Sequence, residues 1–336
     1  MNKITKIGAS ALCGSLAAIS AANAGDLSVT GGVDMSWTSL PKANSGNPIG
    51  IGSNLTFSGS GELDNGWSVA LTVAHTNANA YSNTNVVIGI PGLGDIRVDQ
   101  GTTGTGIDRM DDNTPNVWEE AYGTGLGTGI DTVSGVSGGT NIEWTPNTPD
   151  GTTVRVAWSP DVSGKNGNDK STGASEGIKG SGFDITVEAT GEGMGLEGLT
   201  LYGGVSQIEN YQNGTAVNGD NKEQTIGAKY AVGSFTLGYQ WSEEDNGRAA
   251  TTNKYTNDGY GITFAINDDL SVGYNVYKSE QDTTTDVEVE ARAIQVAYSV
   301  GGLSIRLADA KVDNALYATG TTNQRDATTL SVALAF

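Results

Sequence analysis

From residue 27 to the end of the chain, apolar side chains recur at alternate positions in short runs separated by Gly, Asn, Asp and Ser. In FTLGYQW (235–241) the apolar set is Phe235, Leu237, Tyr239 and Trp241, set against Thr236, Gly238 and Gln240. In TVRVAW (153–158) Val154, Val156 and Trp158 alternate with Thr153, Arg155 and Ala157. A period of two places such sets on opposite faces of a β-strand. Sixteen segments carry the pattern: 27–37, 54–63, 67–75, 85–90, 95–100, 141–144, 153–158, 183–189, 199–208, 224–230, 235–241, 260–266, 270–278, 287–300, 303–310 and 327–336. Long heptad or 3.6-residue periods are absent, and nothing after residue 24 approaches the run of about 18 apolar residues that a transmembrane helix needs.

The connections alternate short and long. DNG (64–66), PGLG (91–94), AVGS (231–234), NDD (267–269) and GG (301–302) are short, whereas 39–50, 101–139, 160–180, 209–222, 243–257 and 313–326 are long. Tight turns on one edge and long loops on the other describe an all-β, up-and-down antiparallel barrel in a membrane, whose apolar face meets lipid and whose polar face lines water. Aromatic residues at strand ends (Trp37, Trp67, Trp144, Trp158, Trp241, Tyr230, Tyr260 and Phe336) suit the interfacial girdles of such a barrel.

The two ends of the chain support export. MNKITKIGASALCGSLAAISAANA carries Lys3 and Lys6, an apolar run, and a closing Ala22-Asn23-Ala24, the features of a signal peptide cleaved after Ala24. The single cysteine, Cys13, lies inside it, behind a Leu12 that does not suit lipidation, so the mature domain 25–336 would have neither disulfides nor thiolate ligands. Cleavage removes two of the 18 basic residues and none of the 38 acidic ones, which leaves 16 against 38 and a formal charge near −22. That excess excludes nucleic acid as a partner, because such binding rests on neutralising phosphates. At the far end, TTLSVALAF stops on Phe336 with no polar tail, an apolar strand with no edge partner in the adjacent sequence.

The segments NIEWTPNTPDGTTVRVAWSP (141–160), GDLSVTGGVDMSW (25–37) and the terminal Phe336 together resemble the general diffusion porins of Gram-negative outer membranes. The resemblance implies a 16-stranded barrel in which the last strand pairs with the first, and a homotrimer in outer-membrane lipid and lipopolysaccharide. It further implies that Phe336 is the ending read by the outer-membrane assembly machinery, and that the third long loop folds into the lumen. Ions and small hydrophilic solutes would pass through that lumen.

The third long loop corresponds to 101–139, the longest connection in the chain, and a connection of that length is usually functional. It carries Asp108, Asp111, Asp112, Glu119 and Glu120, which would form an acidic constriction that concentrates cations. Arg97, Arg155, Lys229 and Arg306 fall at inward positions and would line the opposite wall, or else pair with nearby carboxylates such as Asp99. In 287–300 the apolar phase slips near Ala293–Ile294, which a β-bulge would explain and which leaves the facing of Arg292 open.

Chemistry finds little purchase. The only histidine, His75, lies in phase with Trp67, Val69, Leu71 and Val73 and has no nucleophile partner, which argues against a hydrolase. GMGLEG (193–198) fits G-x-G-x-x-G but precedes a strand rather than a helix, so it reads as a turn. Asp108, Asp111 and Asp112 form a weak Ca²⁺ candidate without EF-hand spacing. The sequence therefore describes a passive, cation-preferring channel without cofactor. A solute-specific porin, for which Tyr202 and Tyr277 are the inward aromatic candidates, and a secreted β-rich adhesin remain open alternatives.

Overall fold

The computed structural model describes residues 24–39, 47–76, 83–101, 104–163, 179–211, 219–248, 254–282 and 286–335. Residues 1–23 of the expected leader, Cys13 among them, and Phe336 lie outside them. The strands are β1 (Ala24–Thr38), β2 (Ile49–Glu62), β3 (Ser68–Thr76), β4 (Asn83–Ile90), β5 (Gly94–Asp99), β6 (Asn141–Pro146), β7 (Thr152–Ser159) and β8 (Lys179–Thr190). They continue with β9 (Leu199–Asn210), β10 (Asn221–Val232), β11 (Phe235–Asp245), β12 (Lys254–Ala265), β13 (Leu270–Gln281), β14 (Val289–Val300), β15 (Leu303–Asp313) and β16 (Arg325–Ala335). Each pairs antiparallel with its sequence neighbours, and β1 pairs with β16 through Trp37↔Leu330 and Met35↔Val332, so the sheet closes and keeps no edge.

The alternation explains the closure. Leu237, Tyr239, Ile226, Ile185 and Leu307 point outward and are exposed, whereas Gln240, Thr225, Asp184 and Ala308 between them are buried on the inside. Among the described residues no helix is long and apolar enough to cross a membrane. Outward aromatic pairs tie neighbouring strands: Phe235 and Phe264 meet at 4.5 Å between ring centroids, and Tyr239 and Tyr260 at 5.1 Å. His75 stands opposite Leu55 on the same outward phase. At the tight-turn end, Gly233 (φ 58°) and Gly301 (φ 57°) adopt the left-handed backbone that two-residue hairpins require. GMGLEG forms part of a connection too: a short 3₁₀ turn, Gly191–Met194, leads into β9.

Every segment marked in the sequence becomes one strand, but several strands extend further toward the long-loop end. β12 starts at Lys254 rather than 260, and β11 runs on to Asp245. Pairs such as Asp245↔Lys254 continue the ladder above the apolar band, where outward residues are charged and the period-two contrast disappears.

The expected bulge at Ala293–Ile294 is absent. β14 pairs with β13 and β15 without a register shift, Ile294 points outward, and Arg292 shares its outward phase. Register shifts occur instead between Ala24 and Leu27 and between Lys179 and Gly182. The phase slips in the sequence because Val289, Ala291 and Ala293 are apolar on the inside, where they pack against another part of the chain.

Candidate functional site inside the barrel

That other part is the connection 100–140. Arg97 holds its root, with Nη2 2.6 Å from Asp99 Oδ2 and Nη1 donating to Gly104 O at 3.3 Å. A 3₁₀ turn, Gly106–Met110, then crosses the inner face of β8 to β10, and a second, Ala121–Gly123, lies against β13 to β15. The return limb passes back through a third turn, Gly135–Gly138, beside β7 to β9.

The wall makes room for this strap with glycine. A Cβ at Gly238 would fall 2.3 Å from Pro115 Cδ, and one at Gly261 2.2 Å from Pro115 O. Buried carboxylates then hold the backbone. Glu143 accepts from Gly106 N at 2.7 Å and pairs with Arg109 at 2.6 Å. Asp184 accepts from Ile107 N at 3.0 Å and Val136 N at 3.1 Å, so one carboxylate ties the outgoing limb to the returning one. Glu223 accepts from Ser134 N and Gly135 N, both at 2.7 Å. Charge-assisted bonds of this kind are the strong ones, and they offset part of the cost of burying these carboxylates.

Glutamines continue the row. Gln240 donates to Met110 O at 2.7 Å and accepts from Asn113 N at 3.1 Å, while Gln295 accepts from Trp118 N at 3.1 Å and donates to Glu119 O. Tyr277 is buried, donating to Thr114 Oγ1 at 2.6 Å, and Tyr202 is buried, donating to Gln240. Both inward tyrosines therefore anchor the strap instead of forming an aromatic ladder along open lumen. None of Glu143, Asp184, Glu223, Gln240 or Gln295 stood out in the sequence, because each reads there as one more inward polar residue.

The five loop acids come together. Asp112 is exposed, and its charge acts on Asp108, Asp111, Glu119 and Glu120 alike. Burial, reinforced by Asp112 and Asp108, pushes Asp111 up to about 8. Burial and then Asp112 push Glu120 to about 8 as well. Asp108 and Glu119 also rise, first through burial. No group of three or more acids, histidines or cysteines among the described residues has the geometry to hold a metal ion. The weak Ca²⁺ candidate Asp108, Asp111 and Asp112 is therefore not such a group, and Asp108 accepts instead from Gly104 N.

The four bases do not form one wall facing these acids. Strand order follows sequence order, so Arg97 on β5, Arg155 on β7, Lys229 on β10 and Arg306 on β15 are spread around the ring. Lys229 Nζ touches the strap itself at Asn113 Oδ1, 3.2 Å away, and Arg306 lies 5.8 Å from the Trp118 ring while pairing with Asp34 at 3.4 Å. The inner positions on β1 to β4 are small and neutral apart from Asp34 and Glu62: Ser36, Asn54, Thr56 and Thr72 are among them.

A model of a family described as Gram-negative porin matches residues 8–334. Among curated proteins none matches. Among solved structures, a Salmonella typhi OmpF in complex with daunomycin is 12% identical, covers 93% of this chain and 98% of its own, and superposes with a TM-score of 0.66. An anion-selective porin from Comamonas acidovorans is 15% identical over 93% of this chain and 100% of its own, also at 0.66. A loop L8 deletion mutant of OmpT, an outer membrane protein of Vibrio cholerae, is 14% identical over 94% and 100%, at 0.65. At these identities the likeness is one of fold.

Proposed function

Because the chain belongs to the Gram-negative porin family and forms an outer-membrane β-barrel, we propose that ions and small hydrophilic solutes diffuse through it passively, with cations preferred at the strap 100–140. The observation that carries this reading is the gathering of Asp108, Asp111, Asp112, Glu119 and Glu120 around one exposed carboxylate inside the barrel. Carboxylates at a narrow aqueous passage raise the local concentration of cations and exclude anions. Arg97, Lys229 and Arg306 act in this scheme as local partners of loop and wall, and Arg155 lies within reach of the Glu143 and Glu188 charges, so the field at the narrow point is set by the acids. Asp108, Asp111 and Asp112 act on passing ions directly in this scheme, without a bound Ca²⁺, and Asp111 adds its charge as pH rises through about 8.

The working unit is a homotrimer. β5 and β6 have six residues each, short of the roughly 9–11 that a tilted strand needs to cross a bilayer. That side of the wall is best sheltered by protein, and a second copy of the chain supplies it. Residues 1–24 serve as the exported leader, Phe336 as the assembly signal, and lipopolysaccharide surrounds the outer leaflet side.

Single-channel recording in planar bilayers under a KCl gradient tests the whole reading. Steps arriving in threes, with a reversal potential on the cation side that moves toward zero in Asp111→Asn/Asp112→Asn, are the expected result. Steps without cation bias would remove the role given to the acids, and folded protein that never conducts would overturn the channel.

A further inference from the structure

The far end of the strap is held by a different part of the wall. Its tip, GTGLGTG (123–129), has positive φ at Gly125, Gly127 and Gly129, and it is approached from outside by the connection 314–324 and the first residue of β16. Arg325 Nη1 donates to Leu126 O at 2.7 Å and to Gly127 O, and Leu316 N donates to Thr128 O at 2.7 Å. The tip glycines leave space for this: a Cβ at Gly127 would lie 2.8 Å from Arg325 Nη1, and one at Gly129 3.0 Å from Leu316 Cδ2.

The approaching connection is itself tightly specified. Asn314, Leu316 and Tyr317 all adopt left-handed backbone (φ 57°, 62° and 53°), a conformation that persists in non-glycine residues only where the surroundings impose it. Here they do: Asn314 donates to Glu288 O at 3.0 Å, Tyr317 OH lies 2.7 Å from Ser279 Oγ, and Asn323 donates to Ala315 O at 2.6 Å. Ala315 and Tyr317 also join Ala121, Leu126 and the inner alanines of β14 to β16 in one apolar cluster. Strap tip and surface connection thus share one small core and one set of hydrogen bonds.

We propose that Arg325 is a positioning residue for the passage, a latch through which the surface connection 314–324 fixes the tip of the strap and keeps the channel steadily open. The inference rests on the pore reading given above. A binder on the outer surface that displaces 314–324 would act on the passage through this latch, without entering the lumen.

The test is single-channel recording of wild type, Arg325→Ala, Arg325→Lys, and Arg325→Ala carrying Thr128→Cys/Leu316→Cys, each checked for barrel folding by heat-dependent migration in detergent. The single cysteine, Cys13, lies in the proposed leader, so once that is removed the introduced pair is the one that can form a disulfide. Arg325→Ala is expected to close several-fold more often than wild type, Arg325→Lys to fall between, and the oxidised cysteine pair to return the Ala variant to quiet conduction. Arg325→Gln replaces the Ala variant if the latter does not fold. A folded Arg325→Ala channel as quiet as wild type overturns the latch. So does noise that the disulfide leaves unchanged, since Arg325 would then act only as a lumen charge. Absence of conductance in wild type would instead overturn the underlying channel.

Discussion

The inner faces of β1 to β4 and of β8 to β16 belong to one sheet, yet they are different materials. On β1 to β4 no described side chain is buried, and the inward residues are small and polar, such as Asn54, Thr56 and Thr72. On β8 to β16 inward residues are buried over the part of each strand nearer the long loops, and the set includes Asp184, Glu223, Gln240 and Gln295. The difference is the strap. Where it lies on the wall the barrel has a packed interior with glycine recesses, and where it does not the wall meets water directly. Under the proposed function, the barrel would take its rigidity from one half and its conduction from the other.

The largest effect should come from dissolving the packed half. Asp184→Ala/Glu223→Ala leaves Ile107, Val136, Ser134 and Gly135 N–H groups without acceptors. Each such loss costs about 1–3 kcal/mol. The strap should leave the wall while the barrel stays folded, giving a larger and noisier conductance. A quiet wild-type step from folded protein would contradict the division.

A smaller effect follows from pH. Asp111 and Glu120 are held above their ordinary values, so the native strap binds protons that a free chain would release. The stability this gives is complete below about pH 4 and is lost as pH rises through about 8. As those protons leave, the passage gains negative charge. The cation-to-anion permeability ratio should climb between pH 6 and 9, and Asp111→Asn/Glu120→Gln should flatten that climb.

The smallest change probes the bare half. Asn54→Arg places a cation on open wall with nothing to displace, so thermal stability should hold. At about 10 Å from a passing ion in water, one charge is worth about 0.4 kcal/mol, a factor of about two in permeability ratio. A loss of folding from this substitution would show that the wall of β1 to β4 is packed after all.

Much of this was legible in the sequence. Period-two runs and turn glycines suffice to mark sixteen strands, because an outward apolar and inward polar face is what a lipid-embedded wall demands. The pattern misleads where that demand lapses: above the membrane, as at Lys222 and Asp245, and behind the strap, as at Ala293. The strap acids were visible as charges in a long loop. Their anchors were not, because whether an inward Glu such as Glu223 meets water or a backbone N–H depends on a partner 88 residues away. One signal was available and went unused: Gly238, Gly259, Gly261 and Gly273 on neighbouring strands all point inward, and such a run of missing side chains marks a place where something else must fit.

The pairing of β1 with β16 has a kinetic side. Almost every contact in the wall is between strands adjacent in sequence, yet Thr38 and Thr329, joined across the seam, are 291 residues apart. Contacts so distant form last and slowly, since the whole intervening chain must be ordered before they are rewarded. Until the seam shuts, the molecule is an open ribbon with two unpaired edges, vulnerable to joining a neighbour instead of itself. A chain shortened before Arg325 would retain the strap and fifteen strands and still be trapped in that state.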